Sequence, residues 1–177
     1  FYNRGSAKDD LKDYMGAIAD YTKAIELDPA YSDAYYNRGI VKDNLEDYIG
    51  AIADYTKAIE LDPTYARAYI NRGNAKGKLK GYKGAIADYT KAIKLNPTSS
   101  DAFYNRGCAK DNLENYKGAI ADYTKAIELD PTDSGAYYNR GLAKYDSFDT
   151  DAACLDWIKA GELGDADAYD RIKEYCK

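Results

Sequence analysis

Gly16–Pro29 reads GAIADYTKAIELDP, and the same fourteen letters return as Gly50–Pro63 and as Gly118–Pro131. A further copy, Gly84–Pro97, differs only at Lys94 and Asn96. Ahead of each copy stands Asn-Arg-Gly, at Asn3, Asn37, Asn71, Asn105 and finally Asn139, a constant step of 34 residues. That step is one of the periods of stacked helical repeats. A block of this size cannot bury its own apolar face, so it must lean on its neighbours.

Each block predicts two helices. In Tyr35–Leu45 the larger apolar residues, Tyr35, Tyr36, Ile40, Val41 and Leu45, are spaced roughly as a helix requires. In Tyr48–Leu61 the run Tyr48, Ala51, Ile52, Tyr55, Ala58, Ile59 forms one inward stripe. Asp13, Asp47 and Asn115 stand where the second helix begins and suit its N-cap, since a side-chain oxygen there accepts from a free backbone N–H. Gly81 holds that place in the third block. Pro29, Pro63, Pro97 and Pro131 fall where the second helix must stop. No segment alternates as a strand would, so the chain is expected to be all-α.

Small residues govern the approach of the paired helices. Gly39 on the first helix, with Ala51 and Ala58 on the second, recurs in every full block. Without bulky side chains at those places the axes can come within about 8–9 Å. The twenty tyrosines follow the same scheme. Tyr14, Tyr48, Tyr82 and Tyr116 share one repeated place, and Tyr21, Tyr55, Tyr89 and Tyr123 another, both suited to packing with the hydroxyl at a polar edge.

The spacing of Tyr35, Gly39, Tyr48, Ala51, Tyr55, Ala58 and Pro63 resembles the tetratricopeptide repeat over nearly the whole chain. The resemblance implies a right-handed α-solenoid of antiparallel helix pairs, about five repeats and a C-terminal capping helix. The expected organisation is a single domain over 1–177, with repeats at 1–31, 32–65, 66–99, 100–133 and 134–164 and the capping helix at 166–176. Phe1 corresponds to Tyr35, so the first repeat lacks its opening residues, and the fifth loses its pattern after Tyr145. One departure recurs: Arg4, Arg38, Arg72, Arg106 and Arg140 stand where this family usually has leucine. Asp20, Asp54, Asp88, Asp122 and Asp156 lie on the second helices at a matching level, so ion pairs within each helix pair are expected.

Members of the family usually bind peptide segments on a concave wall lined by their first helices. Mapped here, that wall carries Tyr36, Ile70, Tyr104 and Tyr138, with Asp43 and Asp111 two turns on. Among them runs the row Asn37, Asn71, Asn105, Asn139, which resembles the asparagine ladder of O-linked N-acetylglucosamine transferases. A carboxamide donates and accepts, so such a row can pair with the backbone of an extended peptide. The alternative is that each asparagine binds backbone of its own repeat. The carboxylate clamp of chaperone-binding relatives is not reproduced, because Tyr2 and Ser6 occupy its first two places and Asn71 a basic one. An acidic, tyrosine-rich wall favours a basic or amphipathic peptide or partner helix. Self-association through the end of the first repeat is the alternative use of such a scaffold.

Composition narrows the chemistry. The chain has no histidine, which removes the commonest general base and metal ligand. Its formal net charge is −5, which argues against a nucleic-acid partner. No apolar run reaches membrane-spanning length. Asp130–Gly135 opens like a calcium loop, but Gly141 stands where the closing glutamate belongs. No catalytic residue, metal site or cofactor motif is read, and the chain is expected to be a non-catalytic interaction scaffold. Cys154 and Cys176 sit equally far from the turn near Gly164, compatible either with a disulfide or with two buried thiols. A disulfide would favour a periplasmic or secreted setting, and its absence a cytoplasmic one. Cys108 has no partner in the pattern and is expected as a free thiol.

Overall fold

The computed structural model of the chain describes residues 1–176. Eleven helices and no strand occur among them. They fall into two compact units, the first Phe1–Leu95 and the second beginning at Asn96. The first unit holds α1 (Tyr2–Asp10), α2 (Tyr14–Leu27), α3 (Ser32–Asn44), α4 (Tyr48–Leu61), α5 (Ala66–Lys78) and α6 (Tyr82–Leu95). The second holds α7 (Ser100–Asp111), α8 (Tyr116–Leu129), α9 (Ser134–Asp146), α10 (Thr150–Glu162) and α11 (Ala166–Tyr175). Within each unit every helix packs mainly on its neighbours in sequence, so α1–α2, α3–α4, α5–α6, α7–α8 and α9–α10 form pairs.

Local chemistry starts and stops these helices. Asp13, Asp47 and Asn115 cap α2, α4 and α8 by accepting from the N–H groups of Gly16, Gly50 and Gly118. After α2, α4, α6 and α8 the chain turns through an Asx bend, as where Asp62 Oδ1 accepts from the Thr64 N–H at 2.9 Å around Pro63. The turn between paired helices closes differently. After α3 the Asp47 N–H bonds to the Lys42 carbonyl and the Glu46 N–H to the Asp43 carbonyl, each at 2.9 Å, with Glu46 left-handed at φ 61°. This is a Schellman closure, whose left-handed place glycine usually fills. Here Lys12, Glu46, Lys80, Glu114 and Phe148 fill it.

The contact between paired helices is small against large. A methyl group added at Gly39 would lie 2.7 Å from Cε1 of the Tyr55 ring, and Gly73, Gly107 and Gly141 meet Tyr89, Tyr123 and Trp157 in the same way. These rings are buried, together with Ala51, Ala58, Ala85, Ala92, Ala119 and Ala126.

Beside that contact lies a buried carboxylate. Asp54 on α4 is 4 % exposed. It accepts from Arg38 Nε at 2.9 Å and Nη2 at 2.7 Å, while Lys42 Nζ lies 2.7 Å from its second oxygen. Arg38 Nη1 also donates to Thr22 Oγ1 of the preceding repeat at 2.9 Å. Arg72 repeats this with Asp88 and Thr56, and Arg140 with Asp156 and Thr124. The expected ion pairs therefore form. Their second cation (Lys8, Lys42, Lys76, Lys110 or Lys144) is an addition that the sequence did not signal.

At the end of the second unit α11 packs on α10. Ala168, Ile172 and Tyr175 cover Ala153, Trp157 and Ala160. The Tyr145 and Tyr175 rings meet at a tilt of 48° with 4.6 Å between centroids. The structure joins Cys154 to Cys176 in a disulfide with 5.7 Å between Cα atoms, and leaves Cys108 as a free, partly buried thiol.

Two outcomes follow. Asp54→Ala strands Arg38 and Lys42 as partly buried cations and lowers stability by about 3 kcal/mol, read as an earlier urea transition in circular dichroism. Glu46→Gly relieves a left-handed L-residue and raises stability by about 0.5–1 kcal/mol in the same titration, after the entropy cost of glycine is subtracted.

Candidate functional site

The first helix of each pair carries the tyrosine, asparagine and acidic places picked out from the sequence. In the first unit Tyr36, Asn37, Asp43 and Asn71 are all partly buried. Asn37 Nδ2 donates to the Tyr2 hydroxyl at 2.6 Å, and Asn71 Nδ2 to the Tyr36 hydroxyl at 3.1 Å. In the second unit Asn139 Nδ2 donates to Tyr104 at 2.7 Å. Each of these asparagines thus reaches the tyrosine of the repeat before it, and not the backbone of its own repeat. Their Oδ1 atoms accept no hydrogen bond among the described residues. Before Asn105 the preceding repeat carries Ile70 in place of the tyrosine. Tyr138 is met by Arg171 of α11, Nε to hydroxyl 3.4 Å.

Within each unit the buried tyrosine hydroxyls lie near these first-helix residues, Tyr55 in the first unit and Tyr123 in the second. Burial raises the Tyr55 phenol far above its ordinary value; the charge of Asp43 and the nearness of Tyr36 add to this, and a hydrogen bond from Asn71 opposes it. Tyr36, Asp43 and Asn71 are therefore gathered around one hydroxyl. In the second unit Tyr123 is raised by burial, then by Cys108, Asp111 and Tyr104. Cys108, itself raised by burial, takes a hydroxyl contact from Tyr123 and Tyr104.

Asp43 and Asp111 stand apart from every other buried carboxylate. The Oδ1 atom of each is shielded from solvent and has no hydrogen-bond partner among the described residues. Both lie in the last turn of their helices, α3 and α7, where the helix dipole disfavours an anion. Burial raises the Asp43 carboxyl, with Lys78 opposing. Burial, then the charge of Asp146, pushes Asp111 up to about 6 from 3.8. Such atoms are costly unless something supplies a donor. Among the described residues no group of three or more cysteine, aspartate or glutamate side chains is placed to hold a metal ion.

Paired helices of this kind, meeting through a glycine–tyrosine contact and repeating every 34 residues, define a helical-repeat interaction protein. Tetratricopeptide repeat models match residues 32–65, 66–99 and 100–133, with related ones over 2–42 and 122–168. The chain belongs to the tetratricopeptide repeat family. Among solved structures it is similar to MamA, at 30 % identity over 93 % of this chain and 96 % of that one, with a TM-score of 0.88. It is also similar to YrrB, described as a TPR protein with an unusual peptide-binding site, at 25 % identity over 98 % and 90 % of the two chains and a TM-score of 0.86. MamA from Desulfovibrio magneticus RS-1 shares the fold at 24 % identity, over 91 % of each chain, with a TM-score of 0.87. None of the curated proteins matches the sequence. The family and these likenesses make the chain a protein-interaction scaffold for protein or peptide partners. Among the described residues no helix is long and apolar enough to cross a membrane.

Asp111 yields a pH prediction. Between about pH 3.8 and about pH 6 the folded form keeps a proton that the unfolded chain has released, so stability falls as pH rises through this window and stays lower above it. Asp111→Asn removes that slope and melts higher than the parent at pH 7; thermal melts across the window check both.

Proposed function

We propose that the chain is a non-catalytic module that holds an extended peptide along its first helices, with a basic side chain of the ligand at Asp43 or Asp111. One observation carries the reading: in each unit one shielded carboxylate oxygen, of Asp43 in the first and of Asp111 in the second, has no donor among the described residues. A lysine or arginine of a ligand would supply the donor and the charge together. Tyr36 and Tyr104, near the same buried hydroxyls as Asp43 and Asp111, offer ring faces and hydroxyl edges to such a cation. The free Oδ1 atoms of Asn37, Asn71 and Asn139, with Asn105, are suited to accept from a peptide backbone. The description of YrrB as a peptide binder supports the reading by likeness.

The same asparagines tie neighbouring repeats together through the tyrosine hydroxyls, so removing them mixes binding with stability. The test therefore uses the carboxylates, which have no partner to lose. A set of extended lysine- and arginine-containing peptides is titrated calorimetrically against the parent protein and Asp43→Asn/Asp111→Asn. The best peptide is expected to bind about tenfold more weakly to the double variant, which melts no earlier than the parent. Equal affinity for both proteins, or no binding by any peptide of the set, rejects the proposal.

A further inference from the structure

The copied blocks serve as controls for one another, and the third differs from the rest in charge. Residues 66–99 hold eight lysines and arginines against a single acid, Asp88, whereas residues 32–65 hold three basic and seven acidic residues. Asp33, Glu46, Asp47 and Glu60 of the second repeat become Arg67, Lys80, Gly81 and Lys94 in the third. The fold does not ask for this. Arg72, Lys76 and Asp88 form the same buried ion group as in the other repeats, and α6 keeps its buried face of Ala85, Asp88, Tyr89 and Ala92.

The exchange even works against the helix. In the other repeats the solvent side of the second helix carries a lysine–glutamate pair three residues apart, such as Lys57 with Glu60 at 3.1 Å. In α6 the corresponding pair is Lys91 and Lys94, two like charges at a spacing where they repel. The acidic N-cap is lost too, with Gly81 in its place. Lys80, Lys83 and Lys94 are exposed, and neither they nor the partly buried Lys91 has an ion-pair partner among the described residues. Lys83 and Lys94 lie eleven residues apart, which returns them to one side of α6, opposite its buried face, about 16 Å from each other. Lys91 flanks that line and Lys80 extends it into the turn before α6.

We infer that this outer side of α6, with the turn before it, is a docking surface for a short acidic segment of a partner protein. A line of cations running about 16 Å from Lys83 to Lys94 and extended by Lys80 matches a short run of consecutive glutamates or aspartates. The acidic second repeat, whose α4 packs on α5, limits the length of anion the surface accepts. A long nucleic-acid strand would run off the cations onto those carboxylates within a Debye length or two, whereas a short acidic stretch would not. This surface is separate from the tyrosine–asparagine face, so the inference does not rest on the peptide reading above.

The experiment titrates a labelled oligoglutamate peptide by fluorescence anisotropy against the parent protein and Lys80→Glu/Lys94→Glu. Both substitutions install the residue that the second and fourth repeats carry at those places, Glu46 with Glu114 and Glu60 with Glu128, so the fold has precedent for them. Binding is expected to weaken about tenfold in the variant, to fall as salt is raised to about 0.3 M, and to be unaffected by Asp43→Asn/Asp111→Asn. Should the double variant melt early, Lys83→Gln, on the solvent side of α6, carries the same comparison with a smaller loss. Unchanged oligoglutamate affinity in the variants overturns the inference. So does a parent protein that binds a single-stranded oligonucleotide or phosphatidylserine vesicles but not oligoglutamate.

Discussion

The aspartate buried on each second helix is the constraint from which the rest of the arrangement follows. An ionised carboxylate removed from water is tolerated only when its lone pairs are filled. Here Asp54, Asp88, Asp122 and Asp156 each take a two-pronged arginine and a lysine from the first helix of the same pair. Because the guanidinium is planar and its two bonds run parallel, it sets one sliding position of helix against helix. That position also lays glycine under the tyrosine ring, as at Gly39 and Tyr55. The remaining arginine nitrogen reaches back to a threonine such as Thr22 or Thr56, so one side chain fixes the pair internally and ties it to its predecessor.

With specificity carried by this polar clamp, the apolar interior is free to be thin. It is built largely of alanine around one large ring per pair, Tyr21, Tyr55, Tyr89, Tyr123 and, in the last, Trp157. The tyrosine hydroxyl reaches polar residues of the first helix, as where Tyr89 donates to Asn74 Oδ1 at 2.8 Å. One residue type thus supplies both the packing and a polar lining, beside Asp43 in the first unit and beside Asp111 in the second.

Much of this was legible because periodicity converts sequence directly into place. The fixed step of 34 residues gave the helix pairs, the Asp47 and Asn115 caps, the proline stops and the arginine–aspartate pairing, since each depends on neighbours within one block. What stayed hidden depends on geometry between blocks or on backbone closure. The Asn71–Tyr36 bond spans 35 residues and requires knowing how successive first helices sit side by side. The left-handed turn was masked because lysine, glutamate and phenylalanine, rather than glycine, occupy it. That Asp43 and Asp111 lack donors is a statement about what surrounds them, which no spacing rule contains. The charge of the third repeat, by contrast, was readable in the letters, yet becomes meaningful only once α6 shows which lysines are unpaired.

The cross-block bonds from asparagine to tyrosine and from arginine to threonine carry a consequence for how such a chain can change length. The second and fourth blocks bring the same donors and acceptors to their leading and trailing edges, and the third lacks only the tyrosine hydroxyl at Ile70, so gaining or losing a whole block would rejoin closely matching edges. Near-identical coding segments invite that kind of slippage. The blocks are interchangeable as masonry but not as signals: excising residues 66–99 would leave a sound wall and erase its basic face.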